Sequence, residues 1–172
     1  MTGPAAAAAA RALRYDAWFD GPWGRYAWRV ETAAVLAALG PLAGRRVADI
    51  GCGTGRLLGS LSSHGAQAVG IDTDPAMLAL ASTRGRVARA DAHQLPLADA
   101  SVDGAVTVAT LEFTADPARV LTEMARITRP GGRLVAARRL PARQVLGPAL
   151  ETAGRITPRF GACQVLTVIT RT

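Results

Sequence analysis

The densest chemical signal in the chain is Asp49-Ile50-Gly51-Cys52-Gly53-Thr54-Gly55. A short apolar run at 46–50 enters three closely spaced glycines, and an amphipathic stretch with Leu57, Leu58 and Leu61 on one side follows. A strand, a glycine turn and a helix in that order let a ligand come close to the backbone, because glycine has no Cβ. The first N–H groups of the helix then face the ligand's anionic group. Asp72 ends the next apolar run, 21 residues after Gly51, where a carboxylate can accept hydrogen bonds from a ribose diol. Asp91-Ala92-His93-Gln94-Leu95-Pro96 follows a third run. Asp91 and the Ala92 backbone there offer groups for an adenine amino group. A bare tight turn and solvated strand-end carboxylates are the bland alternatives, but the glycine turn and the spaced acid coincide far more rarely than either occurs alone. A dinucleotide fingerprint needs Gly-x-Gly-x-x-Gly. Here the third glycine comes one place early, at Gly55, and Arg56 takes its position, which disfavours a nicotinamide-dependent reductase.

Short apolar runs alternate with amphipathic stretches along the chain, which predicts βα units and a parallel sheet. Strands are expected at 46–50, 68–72, 86–90, 102–109 and 133–137, with a helix near 54–64. Asp74-Pro75 and Asp116-Pro117 each read as an N-cap with proline at the first helical position. Val120, Leu121, Met124 and Ile127 mark one face of the helix after the second cap, and Arg129-Pro130-Gly131-Gly132 is expected to stop it with a turn. A last helix is expected at 142–153 and two strands at 155–160 and 163–170. Ahead of the first strand, Arg25 to Leu39 reads as a helix, preceded by an aromatic-rich segment with Tyr15, Trp18, Phe19 and Trp23. The expected fold class is α/β: a Rossmann-like three-layer sandwich, its seven-stranded, mostly parallel sheet closed by an antiparallel C-terminal hairpin. One domain is expected over 1–172, with a helical cap segment at 1–40, a core at 45–137 and a closing helix and strand pair at 138–172.

An apolar fraction of 49% over 172 residues excludes a disordered chain. The net charge of +7 points weakly to an acidic partner, but all 20 basic residues are arginine and they are spread along the chain. Only Arg138, Arg139 and Arg143 cluster, without aromatic residues to stack on bases, so nucleic acid is not expected. Cys52 and Cys163 have neither metal-like nor disulfide-framework spacing and read as small buried hydrophobes; no metal is expected. No stretch approaches the ~20 apolar residues of a membrane span, and the alanines at 5–10 lack the preceding basic residues of a signal peptide. A cytoplasmic protein is the default.

In VADIGCGTG, GID, DAHQLPL, DASVDGAV and ITRPGGRLV the chain resembles the class I S-adenosylmethionine-dependent methyltransferases, in particular their small-molecule branch. The resemblance is close over 46–137, and the tail ALETAGRITPRFGACQVLTVIT also resembles the family's last helix and strand pair. It implies S-adenosylmethionine as cofactor. Asp49 would orient the glycine loop and the methionine amino group. Gly51, Cys52, Gly53, Thr54 and Gly55 would line the methionine part, Asp72 and Thr73 the ribose, and Asp91 and Ala92 the adenine. The segment Thr107 to Thr110, with Ala109, would lie beside the sulfonium. The entry segment Tyr15-Asp16-Ala17-Trp18-Phe19-Asp20 resembles one that folds over the cofactor in the same branch. Tyr15 is therefore assigned to the cofactor, and Trp18, Phe19, Trp23 and Phe113 to the substrate. Relatives usually carry a longer insertion after the fifth strand; here it is short, which leaves the substrate site open, completed by a second subunit, as in a homodimer, or degraded.

Methyl transfer from a sulfonium is a direct displacement that asks the protein mainly to align the reactants. A general base would serve a hydroxyl, phenol or acidic-carbon acceptor. Glu112 is the first candidate for it and His93 the second, while His64 is explained by a helix C-terminus. No Asn-Pro-Pro-Tyr-like motif is present, which argues against adenine or glutamine as acceptor. The expected activity is methyl transfer to a small organic acceptor at O, N or C. The alternative is a non-catalytic S-adenosylmethionine-binding module that acts through a protein partner.

Overall fold

Alternation along the central strands decides the architecture. Val47, Val106 and Val135 pack with Val35, Leu39, Leu58 and Leu61 in one buried layer. Ala48, Ile50, Ala105 and Leu134 pack with Val120, Leu121, Met124 and Ile127 in another. Strands buried on both faces need helices on both sides, and this favours a parallel sheet. The computed structural model describes residues 3–138, 154–156 and 164–169. It shows α1 (Pro4–Trp18), α2 (Pro22–Leu39), β1 (Arg46–Ile50), α3 (Arg56–Ser63), β2 (Gln67–Asp72), α4 (Pro75–Ala81), β3 (Arg86–Arg89) and β4 (Val102–Val108). A 3-10 turn at Leu111–Phe113, α5 (Pro117–Ile127), β5 (Thr128–Arg138), β6 (Gly154–Ile156) and β7 (Gln164–Ile169) follow. The strand order is β3-β2-β1-β4-β5-β7-β6. The pairings β1·β2, β1·β4, β2·β3 and β4·β5 are parallel. The pairings β5·β7 and β6·β7 are antiparallel. The architecture is thus a Rossmann-like α/β fold around a parallel sheet.

Within the expected helical cap segment, the run of alanines is a helix in its own right. Gly3 is extended, Pro4 occupies the first helical position, and alanine has the highest helix propensity, so α1 starts at Pro4 and runs on through Tyr15 and Trp18 of the aromatic segment. Two local expectations need correction. The next helix starts at Pro22 rather than Arg25, on the same glycine-then-proline signal. The Arg129-Pro130-Gly131-Gly132 stretch does not separate α5 from the fifth strand, because β5 already pairs at Thr128. Its register against β4 shifts between Val102 and Gly104, so the Pro-Gly-Gly stretch is absorbed as an irregularity within the strand. The Asp74 and Asp116 caps form as expected: each side chain accepts a backbone N–H, from Ala76 and from Arg119 respectively. The helix expected at 142–153, the connection at 157–163 that would make a hairpin of β6 and β7, Cys163, Arg139 and Arg143 lie outside the described residues.

Candidate functional site

The carboxyl ends of the parallel strands open into a cavity of about 420 Å³. In open α/β sheets ligands bind at this edge. A second hollow of about 510 Å³ lies at the amino ends of β1 and β2, around Arg46, Gln67 and Arg86, away from the glycine loop. The loop after β1 forms one wall of the first cavity. Gly51 has φ +71°, donates its N–H to Ile71 O at 2.7 Å, and lies so close to the Thr110 side chain that a Cβ would collide with it. Gly53, also at positive φ, is different: nothing lies near the position of a Cβ, so the space beside this backbone is open to a ligand. The loop after β2 is tied to it, because Asp72 Oδ2 accepts the Gly53 N–H at 2.8 Å and Asp72 Oδ1 accepts the Asp74 N–H at 2.9 Å. Asp72 and Thr73 both line the cavity.

Asp49 lies under this wall, only 2% exposed, and its Oδ2 has no hydrogen-bond partner. Burial, with a smaller contribution from the Asp72 charge, pushes its carboxyl up to about 7. A buried acceptor without a partner is costly, and the amino group of a bound amino-acid moiety is the kind of donor that would satisfy it. Cys52 is buried as well, and burial drives its thiol far above the ordinary value, so it stays protonated. Gly55 donates to Cys52 O at 2.9 Å and closes the turn. Thr54, 2% exposed, does not face the cavity; its hydroxyl donates to Asp16 Oδ1 at 2.7 Å.

Beyond β3, Asp91, Ala92 and His93 line the opposite wall. Asp91 Oδ1 accepts the His93 backbone N–H at 2.9 Å and lies 2.6 Å from His93 Nδ1, while His93 Nε2 is buried without a partner. After β4, Ala109 adopts φ +50°, a left-handed conformation that non-glycine residues rarely take, and donates its N–H to Ala137 O. Strain of this kind gathers at ligand-facing backbone. Tyr15 and Phe113 complete the lining, Phe113 being 85% exposed at the rim.

Not every expected residue is brought in. Glu112 sits in the 3-10 turn but does not line the cavity, and its Oε2 is buried without a partner. Trp23 is 82% exposed and outside the cavity. Phe19 stands behind Tyr15, in edge contact with Tyr15, Trp18 and Trp28, with the Arg56 guanidinium over its ring at 5.3 Å. Three residues that sequence reasoning passed over do much of the positioning. Asp16 gathers Thr54, Arg56 and Arg84, although only its aromatic neighbours stood out in the sequence. Arg56, in the sequence only the residue at a fingerprint glycine's place, donates to both Asp16 and Asp20. Glu123, 4% exposed in α5, accepts the Leu95 N–H and pairs with Arg126, which also holds the Leu95 and Leu97 carbonyls. The pair therefore anchors the loop that follows Asp91. Among the described residues no group of side chains could hold a metal ion, and no helix is long and apolar enough to cross a membrane.

Comparison with known proteins agrees with this geometry. Residues 48–136 match the family model described as a methyltransferase domain. An uncharacterised methyltransferase of Mycobacterium tuberculosis is 46% identical over 99 residues, covering 55% of this chain and 40% of that protein. A demethylmenaquinone methyltransferase of Mycobacterium sp. (strain KMS) is 43% identical over 110 residues, covering 63% of this chain and 46% of that protein. A solved structure from Thermotoga maritima, described as an S-adenosylmethionine-dependent methyltransferase and possible histamine N-methyltransferase, superposes with a TM-score of 0.64 at 35% identity, covering 74% of this chain and 57% of that one. The chain spans less than half the length of these curated relatives. It belongs to the methyltransferase-domain family, the class I S-adenosylmethionine-dependent methyltransferases, whose cofactor is S-adenosylmethionine.

Proposed function

We propose that this chain transfers a methyl group from S-adenosylmethionine to a small organic acceptor carrying a nucleophilic O, N or C atom. The observation that carries this reading is the single cavity in which Gly51, Gly53, Asp72, Asp91, Ala109 and Tyr15 converge at the carboxyl ends of the strands. Asp49 would accept the cofactor's ammonium at its unpartnered Oδ2. The open backbone at Gly53 would lie along the methionine part, Asp72 would hold the ribose hydroxyls, and Asp91 with Ala92 would meet the adenine. The cofactor supplies an activated methyl on a sulfonium leaving group. Tyr15 and the exposed Phe113 offer apolar surface at the mouth, suited to a flat ring in the acceptor. The demethylmenaquinone methyltransferase among the relatives supports an acceptor of that shape. The relatives' names give the binding-module alternative no support.

Catalysis in this reading is alignment and exclusion of water rather than proton transfer. Glu112 lies outside the cavity lining, and His93 is engaged by Asp91. The test is transfer of labelled methyl from S-adenosylmethionine to a panel of phenols, quinols and amines. Turnover with a ring-bearing acceptor is expected, with Glu112→Gln and His93→Gln each keeping kcat within about 10-fold. A drop of ~10²–10⁴, the size of a general-base contribution, in either variant would contradict catalysis by alignment. No turnover with any acceptor, despite cofactor binding, would contradict the enzyme reading.

A further inference from the structure

The Asp16 carboxylate, on the last turn of α1, receives an unusual number of donors. Oδ1 accepts from Thr54 Oγ1 at 2.7 Å, Arg56 Nε at 2.8 Å and Arg84 Nη1 at 2.7 Å. Oδ2 accepts from Arg84 Nη2 at 2.7 Å and Arg56 Nη2 at 3.1 Å. The Asp16 backbone carbonyl takes a further bond from Arg56 Nη2, and Arg84 Nη1 also donates to Thr54 O. These donors come from three places: the glycine loop, the first residue of α3, and the segment after α4. Against two guanidiniums the Asp16 carboxyl is held well below the usual carboxylate range, with the Arg84 hydrogen bonds the largest cause. Asp16 is 15% exposed at its side chain, so solvent does little to screen the cluster. By contrast, Arg11–Asp74, the other ion pair that ties α1 to the body among the described residues, is a single 2.7 Å contact whose arginine is 58% exposed.

The neighbours of Asp16 give the cluster its consequence. Tyr15, one residue earlier, lines the cavity, and its ring meets Phe19 edge-on at 5.4 Å. Phe19 in turn lies under Arg56. One carboxylate therefore fixes the end of α1, the glycine loop and the aromatic side of the cavity together.

We propose that Asp16 is a positioning residue: it latches the α1 cap to the cofactor loop through Thr54, Arg56 and Arg84, and so sets how long the cofactor stays bound. The latch rests on the cofactor reading above. With Asp16 neutralised, α1 lifts from the loop, Tyr15 leaves the cavity wall and the cofactor dissociates faster, while the sheet and its two buried layers are untouched.

The test is stopped-flow and equilibrium binding of S-adenosylhomocysteine, with trypsin cleavage at the exposed Arg14 in α1 followed in the absence and presence of ligand. For Asp16→Asn we expect dissociation faster by about 10-fold or more, and Arg14 cut faster by a similar factor. Asp16→Glu, which keeps the charge, should recover part of both, and Arg11→Gln should stay within about 3-fold of wild type. If Asp16→Asn melts outright, Asp16→Asn/Arg84→Gln, which removes a stranded cation, takes its place with the same expectations. Wild-type dissociation and cleavage rates in a folded Asp16 variant would overturn the latch. A wild-type chain that binds no S-adenosylhomocysteine would instead overturn the cofactor reading, and the Arg14 cleavage ratio would still decide whether Asp16 fastens the cap.

Discussion

Asp49 holds a carboxylate where water does not reach, and this makes the unliganded protein sensitive to pH in a definite direction. Its folded pKa of about 7 lies above the ordinary 3.8, so the unfolded chain ionises first as pH rises. The stability contributed by protonated Asp49 is full below about 3.8 and is lost as pH climbs through about 7. The gap corresponds to on the order of 4 kcal/mol. Asp16 and Glu123, whose carboxyls are depressed, act in the opposite sense and only at more acid pH: their contribution is lost as pH falls below their ordinary 3.8 and 4.5. Between about pH 5 and 7 the denaturation midpoint should therefore fall with rising pH, and Asp49→Asn should flatten that slope. A midpoint that rises over this window would contradict the assignment. Cofactor affinity should move the other way, rising with pH as the carboxylate becomes available to an ammonium. At Ala109 the expectation concerns strain. Because φ is +50°, Ala109→Gly should leave stability unchanged or raise it by up to about 1 kcal/mol, where glycine for alanine ordinarily costs that much. A loss above about 1 kcal/mol in urea denaturation would show that the conformation is not strained.

At the scale of elements, the loop after β3 depends on α5 rather than on itself. Glu123 accepts the Leu95 N–H at 2.9 Å, and Arg126 closes on it at 2.8 Å. Glu123→Ala should cost about 3 kcal/mol, because it strands a buried N–H and part of a paired cation. Chemical denaturation measures that loss, and a change under ~1 kcal/mol would contradict the anchoring role. The same elements show what was legible in the sequence. The caps at Asp74 and Asp116 were readable because a short polar residue followed by proline is a local signal, satisfied within three residues. The glycine loop was readable for the same reason: backbone conformation at Gly51 and Gly53 is a local demand on residue type. The Asp16 cluster and the hold of Glu123 on Leu95 were not, because these partners lie 28 to 68 residues away and pairing at that distance leaves no periodic trace. Nor was it legible that Glu112 would miss the cavity: its place depends on how the 3-10 turn after β4 packs, and neighbouring Phe113, not Glu112, reaches the lining.

For the whole molecule, the sheet decides where chemistry can occur. Parallel strands β1, β2, β3 and β4 end on the same side, so four short segments distant in sequence meet at one cavity. From outside the sheet, Tyr15 of α1 adds to the lining. The most direct test of the central claim, that this cavity holds S-adenosylmethionine, is calorimetric titration of the chain with S-adenosylmethionine and S-adenosylhomocysteine beside NADH, repeated with Asp72→Ala. We expect one saturable site for the first two ligands and none for NADH. In the variant, affinity should be weaker by about 10-fold or more, since it loses hydrogen bonds to a charged group worth ~1.5–3 kcal/mol. No heat of binding from the folded wild-type chain, or binding indifferent to Asp72, would contradict it.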